Sequence, residues 1–552
     1  MSRGRRSRFA DDLPIIARDV GRLLVMTGGL MGLSVLVAAL FGEVYAAAAF
    51  ALSAAVTGTV GGAASRLAGN ADPPEMKHGM VIAAAGWFTV ALFGALPFFL
   101  TAHLTPPSVA ASYVPAGAGY ESSLAFFRSP RHAVFESMSG WTGSGLTMAV
   151  HEPSLPRAIQ WWRSLIQWVG GVGVIVLTVS ILVRPGSGSY TLYQSETREE
   201  KIHPSVVSTV RTVWKLFVAY TLASVAVLFV AIRASPYGSS LPLWEVGWQA
   251  LNHAMTALST GGFSVTDNSI ATYDSPLIET VLLPVMTLGA IAFPIHYAVL
   301  RERKYGELLA DVQTRWLFVL LGLGAVALSV QNGLSVPVAT DAFASQSFLP
   351  TSLRVGNPMV TDAVRDSTFQ WISALSCTGF QSAPIGEWTA GGKVLLSGAM
   401  VLGGAAGSTV GGIKIIRGYT IMRGIRWQFT RVFLPKSAVV TARIGDRKLG
   451  REQMDREFSE AALVSLLWLV LLLGSSVLLA NAAGEAFTYA DALFEVASAQ
   501  GNVGLSTGIT GPSMHPAAEV MFVFNMWIGR LEIIPVLVFL RSAVYGLEPR
   551  LR

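Results

Sequence analysis

Four short segments of the chain align with one another without gaps, and each carries a glycine at the same place. The segments are residues 135–147, 252–264, 369–381 and 494–506. The aligned glycines are Gly145, Gly262, Gly379 and Gly504. The hydroxyl residues six positions before these glycines are Ser139, Thr256, Ser373 and Ser498. Self-similarity at regular spacing predicts a four-fold internal repeat.

Loops built around these glycines can bind a cation through backbone oxygens. A cation that crosses a membrane must exchange its hydration shell for other oxygens, and backbone carbonyls can supply them. Glycine suits such a loop because it adopts backbone angles closed to other residues and lets the ion come close. The short helix before each loop would tether it and aim the partly negative end of its dipole at the ion path.

A second interpretation is that the glycines serve helix packing, as small residues in membrane proteins usually do. It suits a single glycine better than four glycines at equivalent places, each after a segment too short to cross a bilayer. We therefore expect four filter loops. Their predicted ion-binding residues are Thr142, Gly143, Ser144, Gly145, Thr260, Gly261, Gly262, Cys377, Thr378, Gly379, Asn502, Val503 and Gly504.

The composition indicates that the elements carrying these loops lie in a membrane. Of the 552 residues, 52% are hydrophobic and 13% are charged, and the mean hydropathy is +0.51. A soluble domain has about 25% charged residues. The predicted fold class is an all-α polytopic membrane protein with ten transmembrane helices. The apolar runs that mark these helices are residues 20–41, 44–65, 79–101, 158–183, 208–232, 277–300, 315–331, 394–416, 460–480 and 518–541.

The charged residues and the single cysteine exclude several classes of function. The net charge of +6 does not indicate a nucleic-acid partner, because the basic residues lie in short loops between apolar runs. Alternate loops are rich in Lys and Arg, which predicts that both termini are cytoplasmic. The one cysteine, Cys377, excludes a disulfide framework and a cysteine-based metal cluster. Motifs of nucleotide-binding and hydrolytic enzymes do not occur, so no enzymatic activity is expected.

The repeat predicts the organisation of the chain. Residues 1–68 form a basic N-terminus and two helices outside the repeat. Each later unit is a span, a short re-entrant helix, a glycine loop and a second span, and four units around one axis enclose a central pore. The predicted units are residues 69–200, 201–305, 306–445 and 446–552. A two-halved transporter with alternating access is disfavoured, because all four loops enter from the same side.

The chain resembles the TrkH/KtrB/HKT superfamily of potassium transporters, and the match is nearest to its TrkH branch. The resemblance rests on the glycine loops and on residues 163–173, 407–417 and 528–532, and it extends over nearly the whole chain. It implies K⁺ as the transported ion, bound by carbonyls near the four aligned glycines, with no bound cofactor. Gly145 favours K⁺, because some plant members with a serine there transport Na⁺.

The same resemblance implies partners and a location. It implies a homodimer on a cytoplasmic ring of nucleotide-binding subunits of the TrkA type, in the cytoplasmic membrane of a prokaryote. Residues 143 and 144 are Gly-Ser where threonines are common in the TrkH branch. A Na⁺-permeable transporter, or a secondary transporter coupled to Na⁺ or H⁺, therefore stays open as an alternative. The basic segment 417–456 is expected to contact anionic membrane lipid.

Arg530 is the charged member of a second aligned set. The glycines of the following helices align at Gly170, Gly289, Gly403 and Gly529. The residue directly after each of these glycines is small in the first three repeats and is Arg530 in the fourth. A charge at the bilayer centre costs about 2.5–3.5 kcal/mol, so it faces a cavity or a partner. Arg530 either pairs with Glu532 or another helix, or lies in the pore beneath the filter, where at ~6 Å it would repel K⁺ by roughly 3 kcal/mol.

The third repeat carries a run of glycines beneath its filter loop. They are Gly403, Gly404, Gly407, Gly411 and Gly412. Each glycine costs about 1 kcal/mol in a helix relative to alanine, which predicts a break in this span. In the resembling superfamily this stretch is an intramembrane loop that obstructs the pore. Residues 404–412 are therefore the predicted movable gate, which Arg530 helps to hold; close helix packing without gating is the alternative.

Overall fold

The computed structural model describes residues 3–177, 206–335, 358–433, 442–445 and 447–547. Within these ranges the chain is mostly helical, and strands β1 (Ala442–Ile444) and β2 (Arg447–Leu449) pair in antiparallel register. The C-terminal end of the predicted span 158–183 lies outside the described residues, as does most of the loop that follows it.

The helices before residue 178 include the two outside the predicted repeat and the first short helix. They are α1 (Arg3–Leu40), α2 (Val44–Leu67), α3 (Met76–Gly94), α4 (Leu96–Leu104), α5 (Pro107–Ser112), α6 (Pro130–Thr142) and α7 (Arg157–Leu177). Glycines bring α1 and α2 close, because a side chain at Gly21 would clash with the backbone of Gly61. Such contacts let membrane helices pack by van der Waals attraction.

The helices of the middle of the chain begin after residue 205. They are α8 (Val206–Ala234), α9 (Pro236–Ser239), α10 (Leu243–Leu258), α11 (Pro276–Ala290), α12 (Phe293–Leu300), α13 (Glu307–Ala310) and α14 (Val312–Ser335). Those after residue 357 are α15 (Pro358–Leu375), α16 (Ala390–Val401), α17 (Ile415–Val432), α18 (Arg451–Ala482), α19 (Tyr489–Gly501), α20 (Pro516–Arg530) and α21 (Ile534–Tyr545). The 3₁₀ helices are Ser123–Arg128, Glu152–Ser154, Ser269–Tyr273 and Ile385–Glu387.

Six helices of the described residues are long and apolar enough to cross a membrane. They are Asp12–Leu40, Val44–Leu67, Lys77–Leu104, Val210–Ala234, Val312–Ser335 and Arg451–Ala482. Two bent pairs raise the number to eight if each pair is one span. The ten predicted spans differ from this set at 158–183 and 394–416. The first corresponds to α7, which carries Arg163 and Gln167, and the second ends as a helix at Val401, where the glycine run begins.

The bent pairs break two spans that the sequence analysis treated as continuous. Helices α11 and α12 meet at 108°, and α20 and α21 meet at 114°. A proline is the second residue of both α12 and α21. Proline disfavours helical angles in the preceding residue and lacks a backbone N–H. Pro294 and Pro535 therefore account for where the second helix of each pair begins.

Four short helices enter the interior and end there. They are α6, α10, α15 and α19, with 13 to 18 residues each. A helix needs about 20 residues to span the hydrocarbon core. The last turns of α6, α10 and α19 consist of buried residues, and Leu375 at the end of α15 is buried as well. Each of the four helices delivers one of the aligned glycine loops to the protein interior.

Candidate functional site

The four short helices end in the same backbone motif. The N–H of the residue before each aligned glycine donates to a carbonyl of the last helical turn. These bonds are Ser144 to Ser139 at 2.8 Å, Gly261 to Thr256 at 2.8 Å, Thr378 to Ser373 at 2.9 Å and Val503 to Ser498 at 2.9 Å. The residue directly before each of these N–H donors has a left-handed backbone. These residues are Gly143, Thr260, Cys377 and Asn502, with φ of 69°, 52°, 51° and 56°. This is the Schellman ending of a helix.

The four aligned glycines contact one another's loops in a closed ring, here called the glycine ring (Gly145, Gly262, Gly379 and Gly504). A Cβ on each glycine would come closer than 3.0 Å to a carbonyl oxygen of the next loop. The contacts run from Gly145 to Gly261, from Gly262 to Thr378, from Gly379 to Val503 and from Gly504 to Ser144. All four glycines have positive φ, between 74° and 103°. A larger residue is therefore excluded by both space and backbone angle.

Each loop is also tied to its own short helix from behind. The residue nine positions before the glycine bonds a side chain two or three positions after it. The pairs are Glu136 with Thr147 at 2.9 Å, His253 with Ser264 at 3.0 Å, Gln370 with Ser382 at 3.1 Å and Glu495 with Ser506 at 2.6 Å. The Ser498 hydroxyl additionally accepts from the N–H of Gly504 at 3.0 Å. These bonds fix each loop against its own short helix.

Two side chains of α7 bind the second loop, and one of them, Arg163, also binds the first; sequence reasoning assigned a role to neither. Arg163 Nε donates to Glu136 Oε1 at 2.7 Å, and its Nη1 donates to the Ser264 carbonyl at 2.7 Å. Gln167 Nε2 donates to the Gly261 carbonyl at 2.6 Å. The sequence did contain a signal for Arg163, because a charged residue within an apolar run needs a partner inside a membrane.

An outer cavity of about 560 Å³ opens on one side of the glycine ring. All four ring glycines line it, together with polar residues that follow them in the loops. Two acidic residues, Glu152 and Glu387, also line it. Burial raises the pKa of Glu152, in the loop between α6 and α7, to about 8, and the positive charge of Arg163 opposes the rise. The cavity therefore offers oxygen atoms and acidic groups to a cation above the ring, although the guanidinium of Arg163 also lines it.

The five glycines of the third predicted repeat all lie in an irregular segment on the other side of the ring, here called the inner loop (residues 402–414). The N–H of Gly403 donates to Ile413 at 2.9 Å and closes its base. Phe293 at the break between α11 and α12 donates to the Gly407 carbonyl at 3.1 Å. A Cβ on Gly411 would lie 2.7 Å from Asn502 Oδ1. The inner loop therefore contacts the break between α11 and α12 and the fourth glycine loop at Asn502.

Thr409 connects the inner loop to the second glycine loop, and its role was not evident in the sequence. Its Oγ1 lies 2.9 Å from Thr260 Oγ1, and also 2.9 Å from the Gly289 carbonyl, to which it donates. Thr260 is the left-handed residue that ends α10. The signal in the sequence was a hydroxyl inside a run of glycines, which also fits an exposed turn.

Arg530 is buried between the glycine ring and the inner loop. Its Nη1 donates to the Thr409 carbonyl at 2.5 Å, and its Nη2 donates to the Gly170 carbonyl at 3.1 Å. Nη1 also lies 3.7 Å from the place of a Cβ on Gly143. The expected alternative, a pair with Glu532, is not formed; Glu532 instead binds Arg417 at 2.5 Å. The partners of Arg530 are thus backbone carbonyls of α7 and the inner loop.

A family model described as TrkH, cation transport protein, matches residues 78–544. An uncharacterised cation transporter of Methanocaldococcus jannaschii is 29% identical over 472 residues, which are 85% of this chain and 84% of that protein. The Trk system potassium uptake protein TrkH of Halomonas elongata is 28% identical over 540 residues, which are 97% and 99% of the two chains.

A solved structure has the same fold. The crystal structure of the potassium transporter TrkH from Vibrio parahaemolyticus matches with a TM-score of 0.73 at 24% sequence identity. The match covers 96% of this chain and 98% of that chain. The family model confirms the family inferred from the glycine loops, and the structural match extends the mostly helical fold over 96% of this chain.

Proposed function

Because the chain belongs to the TrkH family of cation transport proteins, we propose that it carries K⁺ inward through a filter of backbone carbonyls in the four glycine loops. The observation that carries the proposal is the closed glycine ring, in which every loop contacts the next one. K⁺ is the proposed cargo because several similar proteins are named as potassium uptake proteins. The family consists of transporters, so the chain acts by transport and not by catalysis.

The filter is the loop backbone just before and at each ring glycine, residues 142–145, 260–262, 377–379 and 502–504. Four helix C-termini converge on it, and the C-terminal end of a helix carries a partial negative charge. The tethers from Glu136, His253, Gln370 and Glu495 hold the loops without help from the ion. A loop that is already ordered does not lose further conformational entropy when K⁺ binds.

The inner loop is the proposed gate. It lies on the opposite side of the glycine ring from the outer cavity, and Arg530 contacts it directly beneath the first loop. A guanidinium at ~6 Å from a passing K⁺ opposes it by roughly 3 kcal/mol at an effective dielectric near 20. Opening requires the loop to move, and its left-handed glycines Gly407 and Gly412 allow backbone angles that other residues resist.

The proposed architecture has four repeats around the pore and ten spans in all. Residues 1–68 precede the repeats, which occupy 69–200, 201–305, 306–445 and 446–552. In this arrangement the bent pairs α11–α12 and α20–α21 are single broken spans, and α16, the inner loop and α17 form another. Broken helices at membrane depth belong where backbone lines a cavity. Both termini are cytoplasmic in this proposal, in the cytoplasmic membrane of a prokaryote.

The proposed partners follow from the family resemblance and from the relatives' description as parts of Trk systems. Several are components of Trk systems, so a separate cytoplasmic nucleotide-binding subunit of the TrkA type would regulate the gate. A homodimer is the proposed oligomer, and K⁺ is substrate, without a bound cofactor.

Uptake of radioactive Rb⁺ into proteoliposomes of the purified chain tests the transport proposal. K⁺ should block uptake and Na⁺ should not. Gly145→Ser should weaken this discrimination, because its side chain would meet the Gly261 carbonyl. Gly322→Ser is the matched control, since a Cβ there meets nothing within 4 Å.

Two results would contradict the proposal in different ways. Equal competition by Na⁺ and K⁺ would favour the Na⁺-permeable alternative. Absence of Rb⁺ uptake both in the native chain and in Arg530→Met, which lacks the proposed barrier, would exclude a cation pathway through this ring.

A further inference from the structure

A second, apolar cavity lies beside the inner loop, between α14 and α17. Its volume is about 210 Å³, and it is lined by residues such as Trp316, Leu402, Ile415, Gly418 and Tyr419. Apolar cavities of about 150 Å³ already bind small hydrocarbons. This lateral cavity is therefore large enough for a stretch of hydrocarbon chain.

The lateral cavity opens on a surface of the type that faces lipid. Helix α14 exposes Phe318, Val319 and Leu323, and α17 exposes Ile425 and Phe429. At Gly418 an added Cβ would meet nothing within 4 Å, so the α17 wall of the cavity is open there. The lining carries almost no polar surface, which suits a hydrocarbon and not an ion or a polar metabolite.

Basic residues lie next to one end of the lateral cavity, on α14, α17 and the β1–β2 hairpin. Arg423 lies one turn after Tyr419 on α17, and its Nε donates to the Arg443 carbonyl of β1 at 3.0 Å. Arg443 lies opposite Lys448 in the β1–β2 hairpin, and both side chains are exposed. Arg315 is exposed at the start of α14, just before Trp316.

The hairpin is held against this end of the cavity. A Cβ on Gly445 would lie 3.7 Å from Val312, one turn before Trp316. The nearby carboxylate of Asp311 accepts from the N–H of Thr314 and caps α14. The rim is thus a basic surface next to an apolar opening, which is the complement of a lipid with an anionic headgroup.

We propose that the lateral cavity binds an anionic phospholipid, with an acyl chain between α14 and α17 and the phosphate at the basic rim formed by Arg315, Arg423, Arg443 and Lys448. Anionic lipids are abundant at the cytoplasmic surface of membranes. The basic rim lies at the cytoplasmic end of α14 in the proposed orientation. The occupant is a lipid and not a second copy of the chain, because an apolar helix face would leave the basic rim without a counter-charge.

Lipid in this cavity would act on the gate, a consequence that rests on the proposed function. Leu402 and Ile415 line the cavity, and they lie at the two ends of the inner loop. The N–H of Ile415 also donates to the Gly404 carbonyl inside the loop at 3.2 Å. An acyl chain packed against these two residues stabilises the loop conformation seen here.

Photolabelling of the full-length protein in proteoliposomes tests the binding site without measuring transport. The probe is phosphatidylglycerol with a diazirine near the end of one acyl chain, and the readout is label on the tryptic peptide 418–423, which contains Gly418, Tyr419 and Met422. Labelling should saturate, and unlabelled phosphatidylglycerol should compete while phosphatidylcholine should not. Lys448→Gln should weaken labelling by about fivefold, the effect of one surface charge on anionic-lipid binding.

The second part of the photolabelling test places a bulky residue in the lateral cavity. Gly418→Leu should lower affinity by about fourfold for every methylene it displaces, whereas Gly322→Leu, on the lipid-exposed face of α14, should not change labelling. Equal labelling of both variants would overturn the site. Competition by phosphatidylcholine as strong as by phosphatidylglycerol would overturn the anionic headgroup. A chain-to-chain crosslink from this peptide would show that a second copy covers the cavity, which also overturns the proposal.

Discussion

The glycine ring and the inner loop are both buried, glycine-rich and irregular, but different groups hold them. Each loop of the ring is fixed mainly by its own short helix, through the helix ending and through side chains such as Glu136 and Glu495. The inner loop is fixed largely by other parts of the chain. Its contacts come from Ala290 and Phe293 at a helix break, from Gln313 on α14 and from Arg530 on α20.

The glycine ring is therefore held by local structure, whereas the position of the inner loop depends on neighbouring helices. A shift of α20 or of the α11–α12 break removes bonds of the inner loop directly. The same shift leaves the bonds within each short helix and its loop in place. In the proposed function, selectivity and gating therefore reside in adjacent segments that are held by largely different sets of bonds.

The largest expected effect on Rb⁺ uptake comes from placing alanine at one of two glycines that have nearly equal φ angles. Gly262 has φ of 74° and Gly407 has φ of 78°. A Cβ on Gly262 would collide with the Thr378 carbonyl, while on Gly407 its nearest neighbour is the Ala292 Cβ at 4.0 Å. Gly262→Ala should lower Rb⁺ uptake by about 5- to 150-fold, since overpacking costs about 1–3 kcal/mol in addition to the strain shared by both variants.

Gly407→Ala is the comparison variant in the inner loop, because it carries the left-handed strain without the collision. Uptake by both variants is measured in the same proteoliposomes, at equal amounts of folded protein. An equal loss in the two variants would mean that the ring is no more tightly packed than the inner loop, and the distinction between them would fail.

Loss of Arg530 should have the next largest effect, in the opposite direction. Arg530→Met removes two hydrogen bonds from a charged donor, each worth about 1.5–3 kcal/mol, and removes the barrier to cations. Basal Rb⁺ uptake without any cytoplasmic partner should rise at least about tenfold, with K⁺ still preferred over Na⁺. Lys215→Met, which removes an exposed charge from α8, should leave uptake unchanged. A rise accompanied by lost selectivity would show that ring and loop are one mechanical unit.

The smallest effect concerns the outer cavity and its dependence on pH. The pKa of Glu152 is about 8 because the carboxyl group is buried. The group is therefore mostly neutral at pH 7 and becomes negative as the external pH rises through 8. One added charge at ~10 Å in an aqueous cavity attracts a cation by about 0.4 kcal/mol, so uptake should rise about twofold between pH 7 and 9. Glu152→Gln should abolish this rise; its persistence would assign the effect to another group.

Two kinds of feature could be predicted from the sequence: the aligned glycine loops and the helix break at the glycine run. The alignment of Gly145, Gly262, Gly379 and Gly504 was visible because equivalent loops need the same backbone angles. The break after Val401 was visible because the glycine run disfavours a helix. The breaks before Pro294 and Pro535 were missed, although proline gave a local signal, because the surrounding apolar residues fit a continuous span.

Contacts between the predicted repeats could not be predicted from the sequence. Arg163, Gln167 and Thr409 act on residues of another repeat, and no spacing along the chain encodes which carbonyl a buried donor will reach. The same limit explains Arg530, whose sequence neighbour Glu532 suggested a partner at short range. The left-handed turn at Glu532 and Ile533, with φ of 60° and 67°, separates the two side chains, and Glu532 binds Arg417 instead.

The four helix endings around the ring place different residues at one equivalent position: glycine, threonine, cysteine and asparagine. In an assembly of identical subunits, one codon change would alter all four positions at once. Here each position is encoded separately, so a substitution changes a quarter of the ring and leaves the rest intact. Thr260 could thus acquire its contact with Thr409, and Asn502 its bond to Ser144, by single mutational steps. A covalently joined ring is in this sense a more evolvable one.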